Sequence, residues 1–103
     1  MTEQKIQNEI ILEINQRGHR LFRANAGKVI TKDNRVIKLL PKGFPDTFGY
    51  RKSDGKFIAI EVKTESGRLR SEQKKFKAFA ETQNILYGVA TNVEEAIQII
   101  ESE

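Results

Sequence analysis

Phe57-Ile58-Ala59-Ile60-Glu61-Val62-Lys63 reads as the innermost strand of a sheet. Its opening residues are apolar without alternation, the mark of a strand covered on both faces. Glu61 and Lys63 interrupt the run near its end. Standing two apart, they project to one face, while Val62 between them projects to the other. A carboxylate and an ammonium on a buried strand are costly unless paired, ligated or opened to a cleft. The end of this strand is therefore both the centre of the fold and the first place to look for chemistry.

Upstream, Ser53-Asp54-Gly55-Lys56 is a turn of the Asp-Gly type that joins hairpin strands. It turns a strand over residues 46–51 back beside 57–63. Asp46 and Glu61, fifteen positions apart, then stand roughly opposite each other. Pro41 and Gly43 break the chain before that strand. Val29-Ile30-Thr31 and Val36-Ile37, around Asp33-Asn34, predict a hairpin or flap. His19 to Asn25 reads as a strand, with His19 at its surface start. Residues 3–17 read as a helix with Thr2 as N-cap, Ile6, Ile10 and Ile14 on one stripe, and Gly18 as the stop. Downstream, Ser71 caps a helix to about Thr82, residues 85–91 form a strand, and Thr91 or Asn92 caps a last helix. Its inward residues are Val93, Ala96, Ile97 and Ile100. The expected fold is α/β, a central mixed β-sheet flanked by helices in the order α-β-β-β-α-β-α.

Composition limits the function classes. The chain has 103 residues, 38% hydrophobic and 31% charged, which fits a single soluble domain over 1–103. No apolar run is long enough to span a membrane and no apolar leader opens the chain, so a cytoplasmic protein is expected. There is no Cys, which excludes disulfides and thiolate sites. With one His, His19, a Ser-His-Asp triad or an imidazole-rich metal site has little to draw on. Eighteen basic against fourteen acidic residues leave +4, a mild bias toward polyanions. The excess lies between Arg51 and Lys77, while Glu94, Glu95, Glu101 and Glu103 make the end acidic.

Two converging carboxylates raise each other's pKa unless a cation sits between them. Mg²⁺ favours such oxygen ligands and keeps several waters. Asp46 and Glu61, with the Val62 backbone carbonyl, are the candidate ligands. The metal would polarise a phosphate oxygen and activate water, and Lys63 would orient that water and stabilise the charge that develops. On the first helix Glu3 falls within the isoleucine stripe, with Gln7 beside it, so Glu3 is the candidate third carboxylate. Arg68, Arg70, Lys74 and Lys75 follow the strand as candidate phosphate contacts, and Arg23 and Asn25 as residues bordering the cleft.

Gly43-Phe44-Pro45-Asp46, Glu61-Val62-Lys63 and then Gln73 in the following helix resemble the PD-(D/E)xK nuclease superfamily. Glu3-x-x-Ile6-Gln7, Phe22-Arg23-x-Asn25-x-Gly27 and Gly43-x-Pro45-Asp46 are similar to the VRR-NUC (virus-type replication-repair nuclease) group in its minimal stand-alone phage or bacterial form. The resemblance covers nearly the whole chain. It implies a restriction-endonuclease-like core, with Asp46 and Glu61 as metal ligands, Lys63 as catalytic lysine, Glu3 as first-helix acid and Gln73 as the polar residue after the core motif. It further implies a Mg²⁺- or Mn²⁺-dependent endonuclease, a homodimer acting on branched DNA such as Holliday junctions or flaps. One departure is Lys42, where that group commonly carries a small polar residue.

Other readings compete. An Asp, Glu and Lys in so charged a chain are ordinarily surface ion pairs of little worth; their place at the end of an apolar strand, after Pro-Asp, argues otherwise. The basic residues after the strand could be a solvated helix face. The fold could also serve a non-catalytic DNA- or protein-binding module, or a sequence-specific restriction nuclease.

Overall fold

Helix α1 spans Glu3–Gln16, with the Thr2 side chain accepting from Lys5 N–H at its start. It ends at Gly18, whose φ of +100° a side-chain-bearing residue rarely adopts. Ile6, Ile10 and Ile14 are its buried stripe. In this computed structural model, which describes residues 1–102, the chain continues through β1 (Arg20–Arg23), β2 (Lys28–Ile30), β3 (Val36–Lys38), β4 (Thr47–Tyr50), β5 (Phe57–Val62), α2 (Ser71–Ala80), β6 (Leu86–Ala90) and α3 (Val93–Glu101). Glu103, counted among the acidic C-terminal residues, lies outside the described residues. No helix among the described residues is long and apolar enough to cross a membrane.

The main sheet has the order β1-β4-β5-β6. β4 pairs antiparallel with both β1 and β5, and β5 and β6 pair parallel, with α2 as the crossover. The strand expected to be central is so: β5 has a neighbour on each edge, and only Phe57 at its start is exposed. Alternation along β5 sends Ile58, Ile60 and Val62 into a core with α1 and α3, where Ile10, Ile14 and Ile100 are fully buried. The other face receives α2, through Phe44, Phe76 and Tyr87.

Three details differ from the sequence reading. The expected strand from His19 to Asn25 spans only Arg20–Arg23: Ala24 N–H still bonds the Asp46 carbonyl, and by Asn25 the chain has turned into the root of the hairpin, where it pairs with Leu40. The order gains two strands: β2 and β3 form a separate two-stranded sheet around Asn34, whose φ is +64°. Arg70, not Ser71, is the N-cap of α2, and Ser71 is the first helical residue.

Candidate active site

β4 and β5 pair Thr47 with Ile60. One step further along that register, Asp46 and Glu61 face each other at the open end of the hairpin. Both lie on the face that α2 covers, since Ile60 and Val62 on either side of Glu61 point into the opposite core. The loop that delivers Asp46 runs close to α2. A Cβ on Gly43, whose φ is +92°, would stand 2.6 Å from the Glu72 carbonyl oxygen, so only glycine lets the loop pass there. Buried Pro45 follows, and Asp46 is then held twice. Its Oδ2 accepts from Val62 N–H at 2.8 Å, and its backbone carbonyl accepts from Ala24 N–H at 2.8 Å.

Glu61 is 1% exposed, and both its carboxylate oxygens are buried without a hydrogen-bond partner among the described residues. Burial above all, and then the Asp46 carboxyl, through proton sharing and through its charge, push Glu61 up to about 9; Glu3 adds to the push and Lys63 opposes it. With both acids ionised there is no proton between them, and the Glu61 oxygens are left orphaned. Such a pair either takes up a proton or takes up a cation.

Lys63 is 7% exposed on the same face. Its backbone N–H donates to Ala90 at 3.1 Å, and its stem packs where a Cβ on Gly67 would come within 3.3 Å of Lys63 Cβ and Cδ. The ammonium is thus carried on a strand end and a packed stem rather than on a loose loop. Val62 faces the core while its peptide N–H belongs to Asp46, so this peptide lies against the acidic pair.

The structure separates the remaining expected residues. Glu3 stays exposed at the start of α1 and reaches Glu61 through its field. Among the described residues no third acidic or histidine side chain joins the pair in a cluster able to hold a metal. Gln73 caps α2, its Oε1 accepting from Arg70 N–H at 2.7 Å. It nevertheless lines a cleft of ≈480 Å³ together with Asp46 and Arg70. Arg68, Arg70, Lys74 and Lys75 are exposed, and none has a carboxylate partner among the described residues. Arg23 does not border the cleft: its guanidinium bonds the Asn8 side chain on α1. Asn25 is exposed at the root of the β2–β3 hairpin, where its carbonyl accepts from Leu40 N–H at 3.0 Å.

Two residues escaped the sequence reading. Tyr87 on β6 lies beside Ala59 of β5, and its hydroxyl is buried without a hydrogen-bond partner among the described residues. Burial first, and then the charges of Glu61 and Glu81, push that hydroxyl up to about 12. The alternation of Leu86 to Ala90 is the signal that could have placed it on the α2 face. His19 is not at the surface. It is buried with Nδ1 accepting from Lys52 N–H at 3.0 Å, which leaves Nε2 to donate to Glu101 at 2.9 Å. This clamp borders a cleft of ≈590 Å³ at the other end of the sheet, where Arg17 also grips Glu101. Arg17, and then His19, hold the Glu101 carboxyl down to about 2.

The donor set at the hairpin mouth fits a hard divalent cation. Two carboxylates converge, one with both oxygens orphaned among the described residues and the other oriented by the Val62 N–H. The VRR-NUC domain family matches the chain over residues 2–94. No curated protein matches it.

Proposed function

From a chain that belongs to the VRR-NUC domain family, and so is a nuclease acting on DNA, we propose a metal-dependent endonuclease that cuts branched duplexes. The observation that carries the metal dependence is Glu61: a buried carboxylate with two unpartnered oxygens, opposite Asp46 and next to buried Lys63. Asp46 and Glu61 would hold the ion, with the Val62 carbonyl as a further oxygen. Bound there, Mg²⁺ or Mn²⁺ supplies Lewis-acid polarisation of the scissile phosphate and lowers the pKa of water.

The chain's own residues do the rest. The Val62 N–H orients the Asp46 carboxylate before substrate arrives, which lowers the cost of assembling the site. Lys63 places an ammonium on the same face as Glu61, where it orients the attacking water and offsets negative charge on the phosphorane. Arg70 at the cleft, with Arg68, Lys74 and Lys75 nearby, supplies phosphate contacts that fix the register of the strand without reading its sequence. A homodimer suits a branched substrate, because one copy carries one site and a two-fold pair can make two cuts. The exposed rings of Phe22, Tyr50, Phe57 and Phe79 offer apolar area to a second copy.

The test is cleavage of a four-way junction beside a linear duplex of the same arms, in Mg²⁺ and in Mn²⁺, by the wild type and by Asp46→Ala. Junction cutting by the wild type alone is expected. Binding without cutting by both proteins would instead make this a non-catalytic DNA-binding module.

A further inference from the structure

The β2–β3 hairpin is not explained by the site. Beyond its root it makes little contact with the helices or the main sheet. A two-stranded ribbon of this kind has marginal stability alone. Its root is nevertheless fastened: Gly27 N–H donates to Leu40 at 2.8 Å, Leu39 N–H to Gly27 at 2.9 Å, and Leu40 N–H to Asn25 at 3.0 Å. The arm therefore projects from the β1–β4 edge just before Asp46.

Its composition is unusual for a free ribbon. Ile30 is 64% exposed and its cross-strand partner Val36 is 56% exposed, on the face that also carries Lys28 opposite Lys38. Like charges directly opposite each other destabilise a strand pair. Neither lysine has a carboxylate partner among the described residues, nor has Lys32 at the turn or Lys42 past the root; Arg35 alone is paired, with Asp33. The repulsion would be relieved by an external polyanion. A two-stranded ribbon fits a duplex groove, and Lys28 and Lys42 line the same cleft as Asp46 and Gln73.

We infer that the β2–β3 ribbon is a duplex-gripping arm, with Lys28 and Lys38 on phosphates and Ile30 and Val36 toward the groove. This rests on the nucleic-acid reading of the site and names the surface that holds the arm of DNA flanking the cut. It extends onto the ribbon the cleft that Lys28 shares with Arg70, one of the basic residues that follow β5.

The test measures binding rather than cutting, so that it stands apart from the catalytic reading. A labelled blunt duplex is titrated without divalent metal across a salt series, with the wild type, Lys28→Gln/Lys38→Gln and Ile30→Ser/Val36→Ser. Removing both lysines is expected to flatten the slope of log K against log salt by about 2 and to weaken binding at least ~10-fold near 0.1 M salt. Its melting temperature should hold or rise, since the like-charge pair is gone. The Ile30/Val36 variant should weaken duplex binding with the slope unchanged. Wild-type slope and affinity in both variants would overturn the inference, as would a wild type that binds no duplex. So would a sedimentation shift to monomer with the slope intact, which would make the ribbon a subunit contact. Duplex grip by a protein that never cuts would leave the arm standing and remove the nuclease mechanism.

Discussion

On one face of the sheet Ile58, Ile60 and Val62 meet Ile10, Ile14 and Ile100 in a dry aliphatic layer. On the other face Ala59, Glu61 and Lys63, from the same strand, meet rings and an open cleft: Phe44 packs on Phe76 at 5.5 Å and Phe76 on Tyr87 at 5.8 Å. The aliphatic face buries its central side chains fully and Ile11, Val93 and Ile97 in part, at a gain of roughly 25 cal/mol per Å². The other face holds two orphaned carboxylate oxygens and an orphaned phenol hydroxyl, each of which costs free energy in the absence of a partner. Odd and even positions of one strand thus divide stability from chemistry. The layer under α1 and α3 supplies the surplus that lets the α2 side remain unsatisfied until a cation and a phosphate arrive.

The largest effect should separate the faces outright. Glu61→Gln keeps the shape of the side chain but removes a ligand, and cleavage should fall by about 10³-fold or more. The metal-free protein should keep its fold and gain stability near neutral pH. A variant that cuts normally would mean that the α2 face is not the reactive one. Ile10→Ala tests the other face. It should cost about 2–5 kcal/mol in urea unfolding, while the cleavage rate per folded molecule stays near that of the wild type.

A pH series sharpens the comparison further. Glu61 has an ordinary value of 4.5 and is pushed up to about 9 in the fold, so the folded protein binds the extra proton between those values. Metal-free stability contributed by that proton is full below the lower value and is lost as pH rises through the upper one. Urea unfolding from pH 5 to pH 9 should show this decline in the wild type, and a flatter profile in Glu61→Gln. Divalent metal competes with the proton, so its affinity should rise with pH over the same window. Calorimetry in two buffers of different ionisation heat would detect the released proton.

The smallest expected effect is at Gln73. Losing the bond from Arg70 N–H should cost Gln73→Ala about 1 kcal/mol, the usual worth of a helix cap. If cleavage falls by no more than that small destabilisation explains, Gln73 serves the helix alone. A larger fall, restored by Gln73→Glu, would give it a part in the cleft as well.

Much of this division was legible beforehand, and the reasons are local. The apolar run from Phe57 with Glu61 and Lys63 at its end, the Asp54-Gly55 turn, and the isoleucine stripe of α1 are short-range patterns that backbone periodicity turns directly into faces. Asp46 opposite Glu61 followed from counting through that turn. The exposure of Glu3 did not follow, because the stripe says which way a side chain points around the helix and not how far its end lies from a strand. His19 and Arg23 were misjudged for a related reason: their partners Glu101 and Asn8 lie far along the chain or on another element, and Tyr87 was missed because the carboxylate whose charge it feels, Glu61, lies on another strand. The hairpin was seen, but not that its apolar residues would remain uncovered.

The amino-acid order by itself determined the strand, the turn and the two acids that they bring face to face, because hydrogen-bonded neighbours in a hairpin are set by counting residues. It also determined the family, whose short motifs fall on those elements. Only the tertiary structure decided what the acids experience. The depth of Glu61, the absence of a hydrogen-bond partner for its oxygens among the described residues, and the exposure of the ribbon all depend on which distant surfaces come together. Burial is a property of the packed whole, and no local pattern encodes it.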